Sequence, residues 1–154
     1  MPVATAVAVD LDGALGDTRP LWNAWLEDAA RRLRTPELVD LPADRGAAAE
    51  ELDRRVGNWP ALLERFCEDH APVYLRPSPE ANAALRRLHA AGIRVGAFTD
   101  APEPLARVAL AHFGVARRLA ALETGTGALD RLLATLGGES RVVRTPAELL
   151  EAAA

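Results

Sequence analysis

Val7-Ala8-Val9-Asp10-Leu11-Asp12-Gly13-Ala14-Leu15-Gly16-Asp17-Thr18 decides how this chain is read. Residues 3–9 are β-branched or alanine almost throughout, without polar alternation, which is the pattern of a strand buried on both faces. The run closes on two acids and a glycine, so the strand enters a tight turn with its carboxylates at the C-terminal edge. An Asp-Gly turn is ordinary after a strand, but two acids ending so apolar a run are an unprovoked cost unless they are used. Carboxylates two residues apart can divide labour: one attacks as nucleophile or binds a cation, the other serves as acid and base.

Outward from that stretch, residues 20–33 read as a helix with Asp17 and Thr18 available as caps and Leu21, Trp25 and Ala29 along one face. Further helical stretches cover about 43–56 and 60–70, separated by Gly57. A proline-rich connection, 71–79, leads to a helix that Ser78 caps, Pro79 begins and Gly92 stops. Residues 93–99 form the second buried strand. Then come a helix at about 102–112, with Asp100 and Glu103 spaced as a capping box, and a weak third strand around 119–122. A helix at about 128–136, a strand at 141–145 and a short closing helix complete the chain. Thr145-Pro146-Ala147-Glu148 has capping-box spacing at the start of that last helix.

Strands alternating with helices predict an α/β, Rossmann-like parallel sheet of about four strands with helices on both faces. Residues 20–72 interrupt the alternation and read as an inserted α-helical cap, leaving 1–19 and 73–154 as the core.

At 154 residues and 49% hydrophobic composition the chain can bury one sizeable core. A net charge of −4 argues against a general nucleic-acid binder, and arginines such as Arg31, Arg32, Arg54 and Arg55 are interleaved with acids along helical segments as solvated faces. The opening apolar run is broken by Asp10 and Asp12 and lacks a basic leader, so neither a signal peptide nor a membrane span is expected. Cys67, the single cysteine, cannot form an internal disulfide and reads as core; a cytoplasmic location suits the chain. Nothing demands an oligomer. All 18 basic residues are arginine, which excludes any mechanism that needs a lysine amine.

In an open parallel sheet ligands sit beyond the carboxyl ends of the strands. Asp10, Asp12 and Thr99 therefore converge on one edge, Gly13 lets the backbone turn closely under a ligand, and Thr99 with the amides opening the next helix can bind phosphate.

These residues carry a resemblance. The stretch 7–18 resembles the opening motif of the haloacid dehalogenase (HAD)-like hydrolase superfamily, a hydrophobic strand followed by Asp-x-Asp-Gly-Thr-Leu, and the insertion resembles that family's helical cap in its phosphoglycolate-phosphatase-like subgroup. Gly92-Ile93-Arg94-Val95-Gly96-Ala97-Phe98-Thr99-Asp100 resembles its second motif, and Thr124-Gly125 the region before its third. The resemblance implies a magnesium-dependent phosphohydrolase acting on a small phosphorylated metabolite. Asp10 would be phosphorylated, Asp12 would be the acid and base, Thr99 and Gly13 would bind the phosphoryl group, and Asp10 and Asp12, the latter through its carbonyl, would hold Mg2+.

Two departures stand against turnover. Gly127-Ala128-Leu129 replaces the family's Gly-Lys-Pro, leaving Arg117, Arg118 or Arg131 as candidate substitutes for the charge. Val142-Val143-Arg144-Thr145 stands where a strand followed by Gly-Asp completes the metal site. An acid brought towards Asp10 from Asp100, Glu123 or Glu148 would favour a working phosphatase. Without one, the alternative is a degenerate relative that binds a phosphorylated ligand or a protein partner without turnover.

Overall fold

The computed structural model describes residues 4–154; Val3, included in the first predicted strand, lies outside the described residues. Strand β1 (Ala6–Asp10) is central in a four-stranded sheet. It pairs in parallel with β2 (Arg94–Thr99) on one side and β4 (Ser140–Val143) on the other, while β3 (Ala121–Thr124) lies outside β2. The order is β3-β2-β1-β4, so the strand order reverses between β1 and β4. A crevice beyond the strand ends is expected at such a reversal. Val9 opposite Val143 puts Asp10 and the residue after β4 on its two sides.

Alternation along β1 serves the two faces of the sheet. Ala6 and Ala8, with Phe98, pack beneath α6 (Ala128–Leu136) through Leu132 and Leu136. Val7, Val9 and Val95 enter the larger cluster on the opposite face with Leu85, Leu105 and Leu149. Small residues let α6 approach closely: a Cβ on Gly96 would stand 2.5 Å from Leu132 Cδ1. The larger layer is built from α4 (Pro79–Ala90), α5 (Glu103–Phe113) and α7 (Pro146–Ala153).

Three helices are inserted between β1 and α4: α1 (Arg19–Arg32), α2 (Arg45–Arg55) and α3 (Trp59–Tyr74), with a short 3-10 turn at Pro36–Asp40. Their aromatic residues pack on one another, with ring centroids 5.5 Å apart for Trp22 and Trp25 and 6.2 Å for Trp25 and Trp59. Cys67 is buried there, and burial pushes its thiol up to about 12, so it is a core residue.

The expected connection at 71–79 begins later than the prolines suggest. α3 runs through Pro72 to Tyr74, because a proline in the last turn forfeits a single intrahelical bond and the Leu75 amide still closes on the Ala71 carbonyl at 2.8 Å. Ser78 and Thr145 cap α4 and α7 as their spacing predicts, accepting from the amides of Ala81 and Glu148. Asp100 does not form the expected capping box with Glu103; Pro102 holds the cap position of α5, and the Asp100 carboxylate is drawn elsewhere. Among the described residues no helix is long and apolar enough to cross a membrane.

Candidate active site

The chain leaves β1 through a wide helical turn, Leu11–Leu15, in which Asp12 and Gly13 depart from helical geometry. Gly13 has φ 126°, and a Cβ there would meet the Arg144 carbonyl oxygen at 2.5 Å. Its close approach is to the segment after β4. The turn swings the two carboxylates into different environments.

Asp12 is 5% exposed and its carboxylate is fully engaged. Oδ1 accepts from the Thr18 amide at 2.7 Å and the Thr18 hydroxyl at 2.6 Å, while Oδ2 accepts from the Thr99 hydroxyl at 2.7 Å and from Arg45 Nη2 at 2.5 Å. Burial alone would raise its pKa, but the Arg45 charge and the hydrogen bonds from Thr18 and Thr99 prevail and hold the carboxyl below its ordinary value. Thr18 stands at the expected cap position of α1, yet its hydroxyl serves Asp12 rather than the helix amides.

Arg45 is the residue that sequence reasoning missed. It opens α2 in the inserted segment and is only 2% exposed, closed in against the strand edge of the sheet. Nη1 donates to Thr18 Oγ1 at 2.7 Å, Nη2 and Nε donate to Asp100 Oδ1 at 2.8 and 3.1 Å, and its backbone amide donates to Asp100 Oδ2 at 3.0 Å. A charge-assisted fork outcompetes a neutral amide for a carboxylate, which is why Asp100 leaves α5 uncapped. Asp44 caps α2 on the Ala47 amide, and a Cβ on Gly46 would clash with Thr126 at 2.1 Å, so the start of α2 is seated directly on the loop before α6. A glycine in the first turn of a helix is the single sequence trace of that seat.

Asp10 differs. It ends β1 half-buried, and its nearest cation is Arg144, whose Nη1 lies 3.6 Å from Asp10 Oδ2. Its pKa is raised to about 6, first by burial and then by the neighbouring Asp12 charge, against the opposing pull of Arg144. The Arg144 guanidinium also lies over the Phe98 ring, 5.4 Å from its centroid. Asp10, Asp12, Thr99, Phe98, Arg19 and Arg144 line a cleft of about 410 Å³ with the residues that open α6. Thr99 reaches this cleft, but its hydroxyl donates to Asp12 and accepts from the Ala101 amide at 3.1 Å.

None of the three arginines proposed to replace the family's lysine lines this cleft. Arg131 pairs with Glu123 at 3.0 Å and donates to carbonyls of its own loop, and Arg117 and Arg118 sit on a short turn before β3. The cations that face the two aspartates are Arg45 and Arg144.

A family model for haloacid dehalogenase-like hydrolases matches residues 4–128, and the chain belongs to that family. CbbY from Rhodobacter sphaeroides, solved in complex with phosphate, superposes with a TM-score of 0.69 at 14% identity over 90% of this chain and 76% of that one. A putative phosphoglycolate phosphatase from Lactobacillus plantarum gives 0.61 at 14% identity, over 99% and 84% of the two chains. A HAD phosphatase from Thermococcus onnurineus gives 0.54 at 18% identity, over 96% of each. At these identities the likeness is one of fold. No curated protein matches the chain.

Magnesium, which the family generally uses, does not fit the donor set. A hard cation needs oxygen ligands with free lone pairs, and one or two carboxylates are the usual protein share. Both Asp12 carboxylate oxygens are engaged by Thr18, Thr99 and Arg45, Asp100 is held by Arg45, Glu123 pairs with Arg131, and Glu148 closes the capping box of α7. Of the expected ligands the Asp10 carboxylate and the Asp12 backbone carbonyl remain, and that carboxylate faces a guanidinium. Among the described residues no group of three histidine, cysteine or acidic side chains is placed to hold a metal.

Proposed function

We propose that this HAD-fold chain binds a small phosphorylated ligand in the Asp10 cleft without magnesium-dependent turnover. The observation that carries this reading is the state of Asp12. An acid that protonates a leaving group must hold a proton near working pH. Asp12 is instead locked as a carboxylate by a buried arginine and two hydroxyls, with no free lone pair directed at the cleft. Asp10 keeps the position of a nucleophile, but a phosphoryl group transferred to it would meet one guanidinium in place of a metal and a lysine. Removing a single preorganised electrostatic stabiliser typically costs about 10²–10³ in rate, and two are replaced here.

The guanidiniums of Arg144 and Arg19 line the cleft together with the carboxylates of Asp10, Asp44 and Asp130, and Arg45 neutralises Asp12 and Asp100 behind it. The two guanidiniums are the features that suit an anionic group.

A phosphohydrolase acting through an aspartyl-phosphate is the second reading. It is favoured by family membership and by the convergence of Asp10, Asp12 and Thr99 at one strand edge. Release of inorganic phosphate from a panel of phosphorylated metabolites, with and without magnesium, separates the two when the native chain is compared with Asp10→Asn. The binding reading expects no release above that of the variant. Magnesium-dependent release lost in Asp10→Asn would overturn it and establish the phosphohydrolase.

A further inference from the structure

Asp10 stands at the point where the strand order reverses, and the side chain across that crevice is a guanidinium rather than an acid. Three contacts place Arg144 there. Its ring partner is Phe98 on β2, its amide donates to Glu148 Oε1 at 3.3 Å, and its carbonyl is packed against Gly13 so closely that no Cβ would fit. The backbone of residue 144 is thereby tied to the capping box of α7 and to the turn after β1, and the side chain leaves it towards the cleft. About half of that side chain is exposed, so its face away from Asp10 is open to a ligand.

We propose that Arg144 is the resident cation of this cleft: it stands against Asp10 where a divalent metal would have to sit, and it contacts the phosphoryl oxygens of an anionic ligand directly. The second half of this statement rests on the ligand-binding function proposed above; the first half does not. A planar guanidinium matches phosphate with two parallel N–H donors and needs no hydration shell to be stripped before it binds. Electrostatics supply the exclusion. A divalent ion near Asp10 would face the Arg144 charge about one ion-pair distance away, and the Asp10 carboxylate is already shared with that guanidinium. The site therefore works identically in chelator and in magnesium.

Two titrations on the full chain test this. In the first, Mn2+ binding is followed by electron paramagnetic resonance for the native chain and for Arg144→Asp. The native chain is expected to bind no Mn2+ at the cleft. Arg144→Asp, which sets a second carboxylate beside Asp10, is expected to gain a site that Asp10→Asn abolishes when combined with it. In the second, inorganic phosphate is titrated calorimetrically in EDTA and in magnesium. Equal affinity in the two is expected for the native chain, with a loss of about tenfold in Arg144→Gln and recovery to within a few fold in Arg144→Lys.

Mn2+ bound by the native chain and lost in Asp10→Asn, or phosphate bound only with magnesium, overturns the inference while leaving ligand binding intact. Phosphate bound equally by the native chain and Arg144→Gln overturns Arg144 as the anion contact. A native chain that excludes Mn2+ but binds no phosphate in either buffer overturns the anion-contact half together with the ligand-binding function, and supports the cation half alone. Circular dichroism of each variant establishes that the fold is retained.

Discussion

Arg45 Nη2 lies 2.5 Å from Asp12 Oδ2, and both side chains are 2% exposed. The pair joins an inserted helix to the first turn of the sheet, 33 residues apart in sequence. In this position Arg45 cannot be removed without stranding the buried Asp12 charge, whereas an exposed pair such as Arg107 and Glu103 is solvated on both sides.

Arg45→Met should therefore destabilise the chain by about 3–5 kcal/mol in denaturant unfolding. The companion double variant Asp12→Asn, Arg45→Met should recover part of that loss, because it leaves no uncompensated buried charge. Carboxyl-carbon NMR should find the Asp12 pKa raised in Arg45→Met, since the largest opposing charge to burial is gone. A loss below 1 kcal/mol with an unmoved Asp12 titration would mean that the pair is not buried in solution.

Asp10 predicts a pH dependence of opposite sign to that of a salt-bridged acid. Its folded pKa of about 6 exceeds the ordinary carboxyl value of 3.8, so below about pH 4 both states are protonated and Asp10 contributes nothing. Between about pH 4 and 6 the folded state holds a proton that the unfolded state has lost, and stability falls as pH rises. Above about pH 6 the cost is constant, on the order of 1–3 kcal/mol after allowance for screening at a half-buried site. Asp10→Asn should accordingly be more stable than the native chain at pH 8 and about equal to it at pH 3.5. Equal stability at both would show that Asp10 titrates normally.

Thr18 and Thr145 precede helices in the same way but do different work. The Thr18 hydroxyl bridges Asp12 and Arg45, and the Thr145 hydroxyl caps α7 at the surface. Thr18→Val should cost about 1–3 kcal/mol by leaving buried charged groups a donor and an acceptor short, with Thr18→Ser milder. Thr145→Val should cost about 1 kcal/mol, the value of a surface cap. Thermal unfolding of the three variants ranks them; Thr145→Val as the most damaging would reverse the assignment.

Gly46→Ala tests how α2 is seated. The added methyl would meet the Thr126 hydroxyl at 2.1 Å and its amide at 2.7 Å, and the backbone atom cannot swing away. Although alanine favours a helix, the variant should lose about 1–3 kcal/mol through overpacking and should loosen the Arg45 contacts behind it. Hydrogen exchange at the Arg45 amide, which donates to Asp100, reads that loosening directly. A stabilised variant with unchanged exchange would place α2 away from Thr126.

Much of the architecture is legible in local pattern. The β1 run, the caps at Ser78 and Thr145 and the glycine stop at Gly92 depend on neighbours a few residues away, and each lies where its spacing puts it. Local signals mislead where a distant group offers a stronger bond. Asp100 has capping-box spacing and Thr18 has cap identity, but an arginine from another segment draws both side chains inward.

Sequence alone determined the α/β alternation, the inserted helices, the two carboxylates at a strand edge and the absence of any lysine amine, because composition and short-range periodicity encode these directly. Tertiary structure alone decided which cations face those carboxylates. Arg45 and Arg144 are two of 18 chemically identical arginines, and no local pattern separates a guanidinium on a solvated helix face from one sealed against Asp12. That difference is made by the packing of α2 on the loop before α6, where burial turns an ordinary charge into the group that sets the state of the site.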